Sequence, residues 1–559
     1  MNTRQLQTDK NQKLYHALLG ILLVCALAMM MLLSYWACKY SYYGAVDGRT
    51  RGVLVGDKTW AHIAVFLAAS LCAMGIDKVL MKKDKSQQEK ICLCTLIVTS
   101  VIAFILGVFY VCKNPYYPVG DQINTTAFAA YCRDGNFSML SIGGYVGMYQ
   151  QQKGLAILYE ILFTLFGDFN YRPAKILHVV WWILTILAGY GFLKLNTDRP
   201  VFRILYCVMM LGCLPLLFYL PYIYGDVLSI SFGIILFYGV AAYEHSGQKR
   251  YIALASFAAG LAVLARKNTW IVLVAVTVYV LLVSLRKKKV RYLMAGTAIL
   301  LTAALSVKAV DVIYEVRSGY PSGVGIPSIL WVAMGLQETE GRAGVYNRYQ
   351  QATFTDYDCQ QELAAQQGKE YIRERLEEFS QDPGMAFNFF KNKVEGQWIE
   401  PMYAALESTE SFEEGAELSP VLESLYYGEL GRTIWKLTNY YQSILYLAGL
   451  MALVMLGILW WKKKEVPISL WLPWIAVFGG FLFSILWEAK SRYVFPYCVF
   501  MILYVPEGLY QTGLLLCKLP KLRKFKKSGH TQDKGEEASL RETCLLYTSP
   551  SPRDSTSSR

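Results

Sequence analysis

The sequence predicts an all-α polytopic membrane protein, a bundle of about twelve transmembrane helices that carries one small extracytoplasmic domain. Three observations lead there. Apolar runs of about 18 to 23 residues recur along the chain. Of its 559 residues 54% are hydrophobic and 17% charged, with a mean hydropathy of +0.30, a balance foreign to soluble folds. The dense Lys/Arg clusters fall on one side when these runs are threaded through a bilayer, and a single acidic segment, 312–437, interrupts them.

Taken in order, the spans fall at 14–36, 60–75, 91–112, 174–193, 202–220, 227–243, 251–265, 269–285, 292–310, 439–460, 468–487 and 494–516. The first is long and lacks a small-residue cleavage site, so it reads as a retained anchor. Between the third and fourth lies 153–167, too short to cross a hydrocarbon core of about 30 Å as a helix. Its Leu155, Leu158, Leu162 and Leu165 recur at helical spacing, which predicts an interfacial helix, left uncrossed within an outer loop over 113–173.

Orientation follows from the cations. With the N-terminus inside, Lys78/Lys82/Lys83/Lys85/Lys90, Lys194/Arg199/Arg203, Arg286/Lys287/Lys288/Lys289/Arg291, Lys462/Lys463/Lys464 and Lys518/Lys521/Arg523/Lys524/Lys526/Lys527 are all cytoplasmic. Counting 153–167 as a span would send the later clusters outside. Arg49, Arg51 and Lys58 of the first outer loop are the exception. The chain therefore divides into a first transmembrane part (1–311), an outer cap segment (312–437) with a helical stretch near 360–379, three last transmembrane helices (438–516) and a basic cytoplasmic tail (517–542). The stretch 543–559, with Cys544-Leu545-Leu546-Tyr547-Thr548-Ser549-Pro550, reads as translated adapter sequence and is set aside. These features place the protein in the cell membrane as a multi-pass protein with both ends cytoplasmic.

The net charge of +13 hides a separation: 312–437 holds 20 acidic and 10 basic residues, leaving +23 on the remainder. The basic excess is thus a topology signal, and no basic stripe with interleaved aromatics points to nucleic acid. The thirteen cysteines show no CxxC or Cys/His metal spacing, and Cys25, Cys72, Cys94, Cys207, Cys213 and Cys498 lie within spans, where they pack as small apolar groups. No P-loop, GxSxG or HExxH motif occurs. No internal repeat relates the halves, which weighs against a secondary transporter.

Charges at membrane depth are costly and mark cavities or pathways. Here they gather on the outer face. Asp121 sits in Pro118-Val119-Gly120-Asp121-Gln122, in a loop just past the third span. Asp226 ends Pro221-Tyr222-Ile223-Tyr224-Gly225-Asp226, Arg266-Lys267 fill a short turn, and Glu488, Lys490, Arg492 and Tyr493 follow the eleventh span. Each also has a plain structural reading. Asp121 suits an Asx turn, Asp226 a helix cap, and Arg266-Lys267 interfacial snorkelling. Three charges within 488–492 call for a counter-charge on a face poor in cations, and an anionic lipid phosphate supplies one.

Gly120-Asp121-Gln122, then Met148-Tyr149-Gln150-Gln151-Gln152-Lys153-Gly154-Leu155 leading into Phe163-Thr164-Leu165-Phe166-Gly167, resembles the family 39 glycosyltransferases of the GT-C fold. These include dolichyl-phosphate-mannose protein mannosyltransferases and aminoarabinose transferases that act on lipid A. The likeness is closest to members from Gram-positive bacteria. It extends through Ala333-Met334-Gly335-Leu336, Tyr346-Asn347, Gln397-Trp398-Ile399-Glu400-Pro401 and the run 487–493, up to about Gly513. The resemblance implies that Asp121 is the general base, that Asp226 is a second outer carboxylate, and that Lys153 contacts the donor phosphate. This chain has Gly154 where the family carries proline. It also has Gln122 where protein mannosyltransferases carry a second acid, which argues against a protein acceptor.

The implied reaction moves a sugar from a polyprenyl-phosphate donor to an envelope glycan, lipid or protein acceptor on the outer face. Polyprenyl phosphate leaves without an acid, so one base toward the acceptor and cations toward the phosphate suffice. Asp121 would serve as base, with Gln122, Lys153, Arg266, Lys267, Glu488, Lys490, Arg492 and Tyr493 binding substrate. One displacement inverts the anomeric centre, whereas retention needs a second carboxylate about 5 Å away, a part Asp226 could play. The carboxylates Asp121 and Asp226 also offer a place for a divalent metal, although the chemistry does not require one. The rival readings are a lipid-linked glycan flippase, which calls for charges at several depths, and a polymer ligase or polymerase using a polyprenyl-diphosphate donor.

Overall fold

A computed structural model describes residues 3–43, 53–464 and 466–527, and side chains within 12–518. Arg49 and Arg51, the basic side chains beyond Lys518, and the stretch 543–559 lie outside the described residues. The architecture is a helical bundle whose only sheets, among the described residues, are two small antiparallel hairpins, Tyr40–Tyr43 with Val53–Gly56 and Glu338–Thr339 with Arg342–Ala343.

Among the described residues nine helices are long and apolar enough to cross a membrane: Gln12–Lys39, Thr59–Leu80, Lys85–Lys113, Arg172–Asn196, Asp226–Ser246, Lys267–Lys287, Arg291–Ser318, Glu429–Trp461 and Ile468–Leu486. A tenth candidate is a pair, Ser491–Met501 and Val505–Lys518, bent by 60°. The bend falls just before Pro506, whose ring disfavours helix at the preceding residue and whose nitrogen donates no hydrogen bond. This chain is therefore a multi-pass membrane protein by helix length and apolarity.

Two expected spans are not long helices. The stretch read as 202–220 forms Pro200–Gly212, then a break at Cys213 and a short turn, Leu214–Phe218. Pro215 opens that turn and cannot continue the helix before it. The stretch read as 251–265 is Lys249–Ala265, 17 residues long. Helix ends also move. Arg291–Ser318 has 28 residues, about 42 Å at 1.5 Å per residue, so it outruns a core of about 30 Å. The boundary expected at 312 falls inside it. Gly319, at φ 74°, ends it in the left-handed conformation that glycine adopts freely.

Polar contacts tie the helix ends into two groups. At one end Arg199 pairs with Asp77 at 3.2 Å, Arg203 and Lys194 with Glu89 at 2.5 and 3.3 Å, and Lys287 with Glu244 at 2.9 Å. These are the predicted basic clusters, here partly neutralised. At the other end Asn439 donates to Asp57 at 3.1 Å, Arg317 pairs with Glu160 at 2.6 Å, and the Tyr42 N–H donates to the Ile399 carbonyl at 3.0 Å. The buried core of the bundle is continuous and holds Trp182, Trp398, Trp471 and Trp474.

The expected interfacial helix is Lys153–Phe166, 14 residues, about 21 Å long and too short to span. It packs against Asp121–Arg133, Arg172–Asn196, Lys249–Ala265 and Arg291–Ser318, while Ile161, Leu165 and Phe166 stay exposed. The segment between Ser318 and Glu429 forms further helices, chiefly Gln361–Gln381 and Pro383–Trp398. The latter begins at an Asp382 cap whose side chain accepts from the Met385 N–H. This segment joins the bundle through Trp398 Nε1, which donates to Ser484 Oγ at 3.0 Å, and through the Ala489 N–H, which donates to the Gly344 carbonyl at 2.6 Å.

Candidate functional site

Where that segment meets the helix ends it encloses a cavity of about 920 Å³. Asp121, Glu488, Lys490, Arg492 and Tyr493 line it, together with Gly120, Tyr145, Gln152, Tyr224, Lys393 and Glu400. Five residues singled out from distant parts of the sequence thus share one wall.

Asp121 opens the helix Asp121–Arg133 instead of lying in a loop. Gly120, at φ 58°, supplies the left-handed turn ahead of it, and Thr125 Oγ1 donates back to the Asp121 carbonyl at 2.7 Å. A carboxylate in a helix's first turn is favoured by the partial positive charge of the free N–H groups. Its side chain stays exposed, and Tyr145 Oη donates to Oδ1 at 2.8 Å. Burial first, then the Asp121 charge, holds the Tyr145 phenol well above its ordinary range, so it remains a donor.

Asp226 opens the membrane-span candidate Asp226–Ser246 but does not line the cavity; it is 2% exposed. Its Oδ2 lies 3.4 Å from Arg266 and its Oδ1 4.0 Å from Arg492 Nε. Both guanidinium groups stack over Tyr224 and Tyr493, at 5.0 to 5.5 Å. Asp226 is therefore the buried counter-ion of two arginines, of which Arg492 reaches the cavity and Arg266 supports it from behind. The second catalytic carboxylate expected there is instead engaged in ion pairs.

Lys153 is placed elsewhere. It is 2% exposed, pairs with Asp311, donates to Ser322 Oγ at 2.8 Å, and lines a second cavity of about 360 Å³ with Lys267. The expected convergence of Lys153 with Lys490 and Arg492 does not occur, although Gln151 borders both cavities. Gln122, expected to touch substrate, is buried and accepts a hydrogen bond from Tyr116 Oη. The helix that starts at Asp121 turns its second residue inward.

Glu488 is buried in the wall and accepts from Tyr493 Oη at 3.3 Å. Burial pushes its carboxyl up to about 7 against the opposing pull of Lys490. Three wall groups were missed by sequence reasoning. Lys393, 1% exposed, is lowered to about 7 by burial. Glu400 sits in a turn where Tyr403 and Ala404 adopt φ 51° and 56°, and it accepts from the Met402 and Ala404 N–H groups at 2.8 and 2.5 Å. Burial, then Glu407, raises its carboxyl. Gln152 donates to Tyr224 Oη at 2.6 Å. Glu400 and Gln152 lie inside the short runs already noted for their resemblance, which was the available signal. For Lys393 the sequence offers none.

No group of three or more His, Cys, Asp or Glu side chains that could hold a metal ion occurs among the described residues. No protein-family model matches this sequence, and no curated protein or solved structure is significantly similar to it.

Proposed function

We propose that this protein is a GT-C-like glycosyltransferase that moves a sugar from a polyprenyl-phosphate donor to an acceptor at the outer face of the cell membrane. One observation carries the reading: an exposed carboxylate, Asp121, shares a large cavity at the helix ends with the cations Lys490 and Arg492. The two groups of helix-end contacts support twelve crossings, with the broken Pro200–Phe218 stretch and Lys249–Ala265 as short ones; the basic clusters of one group make that side, with both chain ends, cytoplasmic, and the 319–428 segment an outer cap.

In this reading Asp121 takes the proton of the acceptor hydroxyl as its oxygen bonds to the anomeric carbon. The bond from that carbon to the phosphate oxygen breaks, and the electron pair leaves with polyprenyl phosphate, whose charge Lys490 and Arg492 stabilise. Asp226 is paired with two arginines, and burial raises the Glu488 carboxyl to about 7, which disfavours the charged form a nucleophile needs. Asp121 alone then acts, which gives inversion. The test is to reconstitute the protein, supply a panel of polyprenyl-phosphate sugars and measure released polyprenyl phosphate. Release that depends on Asp121 supports the assignment; no release from any donor, or equal release by Asp121→Asn, refutes it.

A further inference from the structure

The cavity extends past Asp121 into a region walled by the 319–428 segment, and donor chemistry does not account for that region. Tyr145, Tyr149, Trp331 and Tyr346 line it. The rings form a continuous run from Asp121: Tyr145, bonded to the carboxylate, lies 5.1 Å from Tyr149, Tyr149 lies 6.2 Å from Trp331, and Trp331 stacks on Trp487 at 5.9 Å and 4°. Interleaved with them are neutral amides, Gln151, Gln350, Gln351 and Asn392. Gln350 is 1% exposed, and its Oε1 has no hydrogen-bond partner.

A buried carbonyl oxygen is costly to leave without a donor, so such a group in a cavity wall calls for a donor brought by the ligand. Aromatic faces are electron-rich and take polarised C–H groups, while amides both donate and accept. One ligand class has an apolar C–H face and a rim of hydroxyls. A lipid chain would leave Gln350 unsatisfied, and an extended peptide would need a sheet edge to pair with. The two hairpins that border the cavity have strands of only two and four residues, short edges for a peptide to pair with.

We propose that Tyr149, Trp331, Tyr346 and Gln350 form an acceptor subsite for a carbohydrate ring, so that the hydroxyl presented to Asp121 belongs to a glycan. The inference rests on the transferase reading and names its acceptor class. Two measurements on the reconstituted full chain separate them: saturation-transfer NMR with a panel of hexose and N-acetylhexosamine oligosaccharides, and polyprenyl phosphate release from the donor panel. Wild-type protein should bind at least one oligosaccharide. Trp331→Ala and Gln350→Leu should each weaken binding about tenfold, and Trp331→Phe, which keeps a ring, less so. Variants are scored only when they elute as folded protein, and Trp461→Phe, at an exposed position, is the control. Wild type that turns over donor yet binds no oligosaccharide overturns the subsite and leaves the transferase reading standing. Binding that all three variants retain in full overturns it as well. Oligosaccharide binding through Trp331 without release from any donor supports the subsite and sinks the transferase reading.

Discussion

Asp226 and Asp121 each open a helix directly after a glycine, and their replacement should have opposite consequences. Asp226 is 2% exposed and faces Arg266 at 3.4 Å and Arg492 at 4.0 Å. Arg492 is itself 6% exposed, so removing the carboxylate strands two guanidinium groups with little water to solvate them. Breaking a buried pair in this way costs about 3–5 kcal/mol, because the remaining charge is uncompensated. Asp226→Ala and Asp226→Asn should therefore unfold at clearly lower temperature in nanodiscs, followed by intrinsic fluorescence. Whatever protein stays folded should show a raised KM for donor, since Arg492 loses its anchor, and a smaller fall in kcat. Asp121→Asn should unfold with wild type. If Asp226→Asn were as stable as wild type while its kcat fell as far as that of Asp121→Asn, Asp226 would be a catalytic group and the counter-ion assignment would be wrong.

Asp121→Asn should lower turnover about 10²–10⁴-fold at unchanged donor affinity, and Tyr145→Phe, which loses a bond to a charged oxygen, about ten- to a hundredfold; single-turnover kinetics with equilibrium donor binding checks both. Arg492→Lys should weaken donor binding, because a point charge does not reproduce the guanidinium fork or its stacking; direct titration of labelled donor decides, and wild-type affinity would move the phosphate site elsewhere. Glu488 has a folded value raised from the ordinary 4.5 to about 7, so its contribution to stability is complete below 4.5 and is lost as pH rises to about 7. Glu488→Gln should flatten that window in thermal denaturation between pH 4.5 and 8, and an unchanged pH slope would contradict it. Single cysteines at Phe387 and Lys463 should react with an impermeant reagent in intact cells only at 387.

Much of the bundle was legible because its signals are local. Run length and composition decide whether a helix stays in lipid, and cation clusters decide which loops stay inside. Proline punctuates in the same local way, as at Pro215 and Pro506, although its effect on the 202–220 stretch was not drawn from the sequence. The helix Lys153–Phe166 was readable for the same reason: its length is a property of its own residues.

The candidate site was legible only in part. Asp121, Glu488, Lys490, Arg492 and Tyr493 were found because charge beside the apolar runs of a membrane protein is conspicuous. Their neighbours Lys393, Glu400 and Gln350 come from the 319–428 segment, where polar residues are ordinary and nothing local marks the buried ones. Asp121 and Asp226 carry the same side chain after the same residue, glycine, and at the start of a helix. The sequence by itself determined a multi-pass helical protein whose loops carry clustered charges. Only the tertiary structure decided that one carboxylate faces a cavity and the other two arginines, and that Lys153 belongs to a different cavity, because burial and ion pairing arise between segments far apart in the chain.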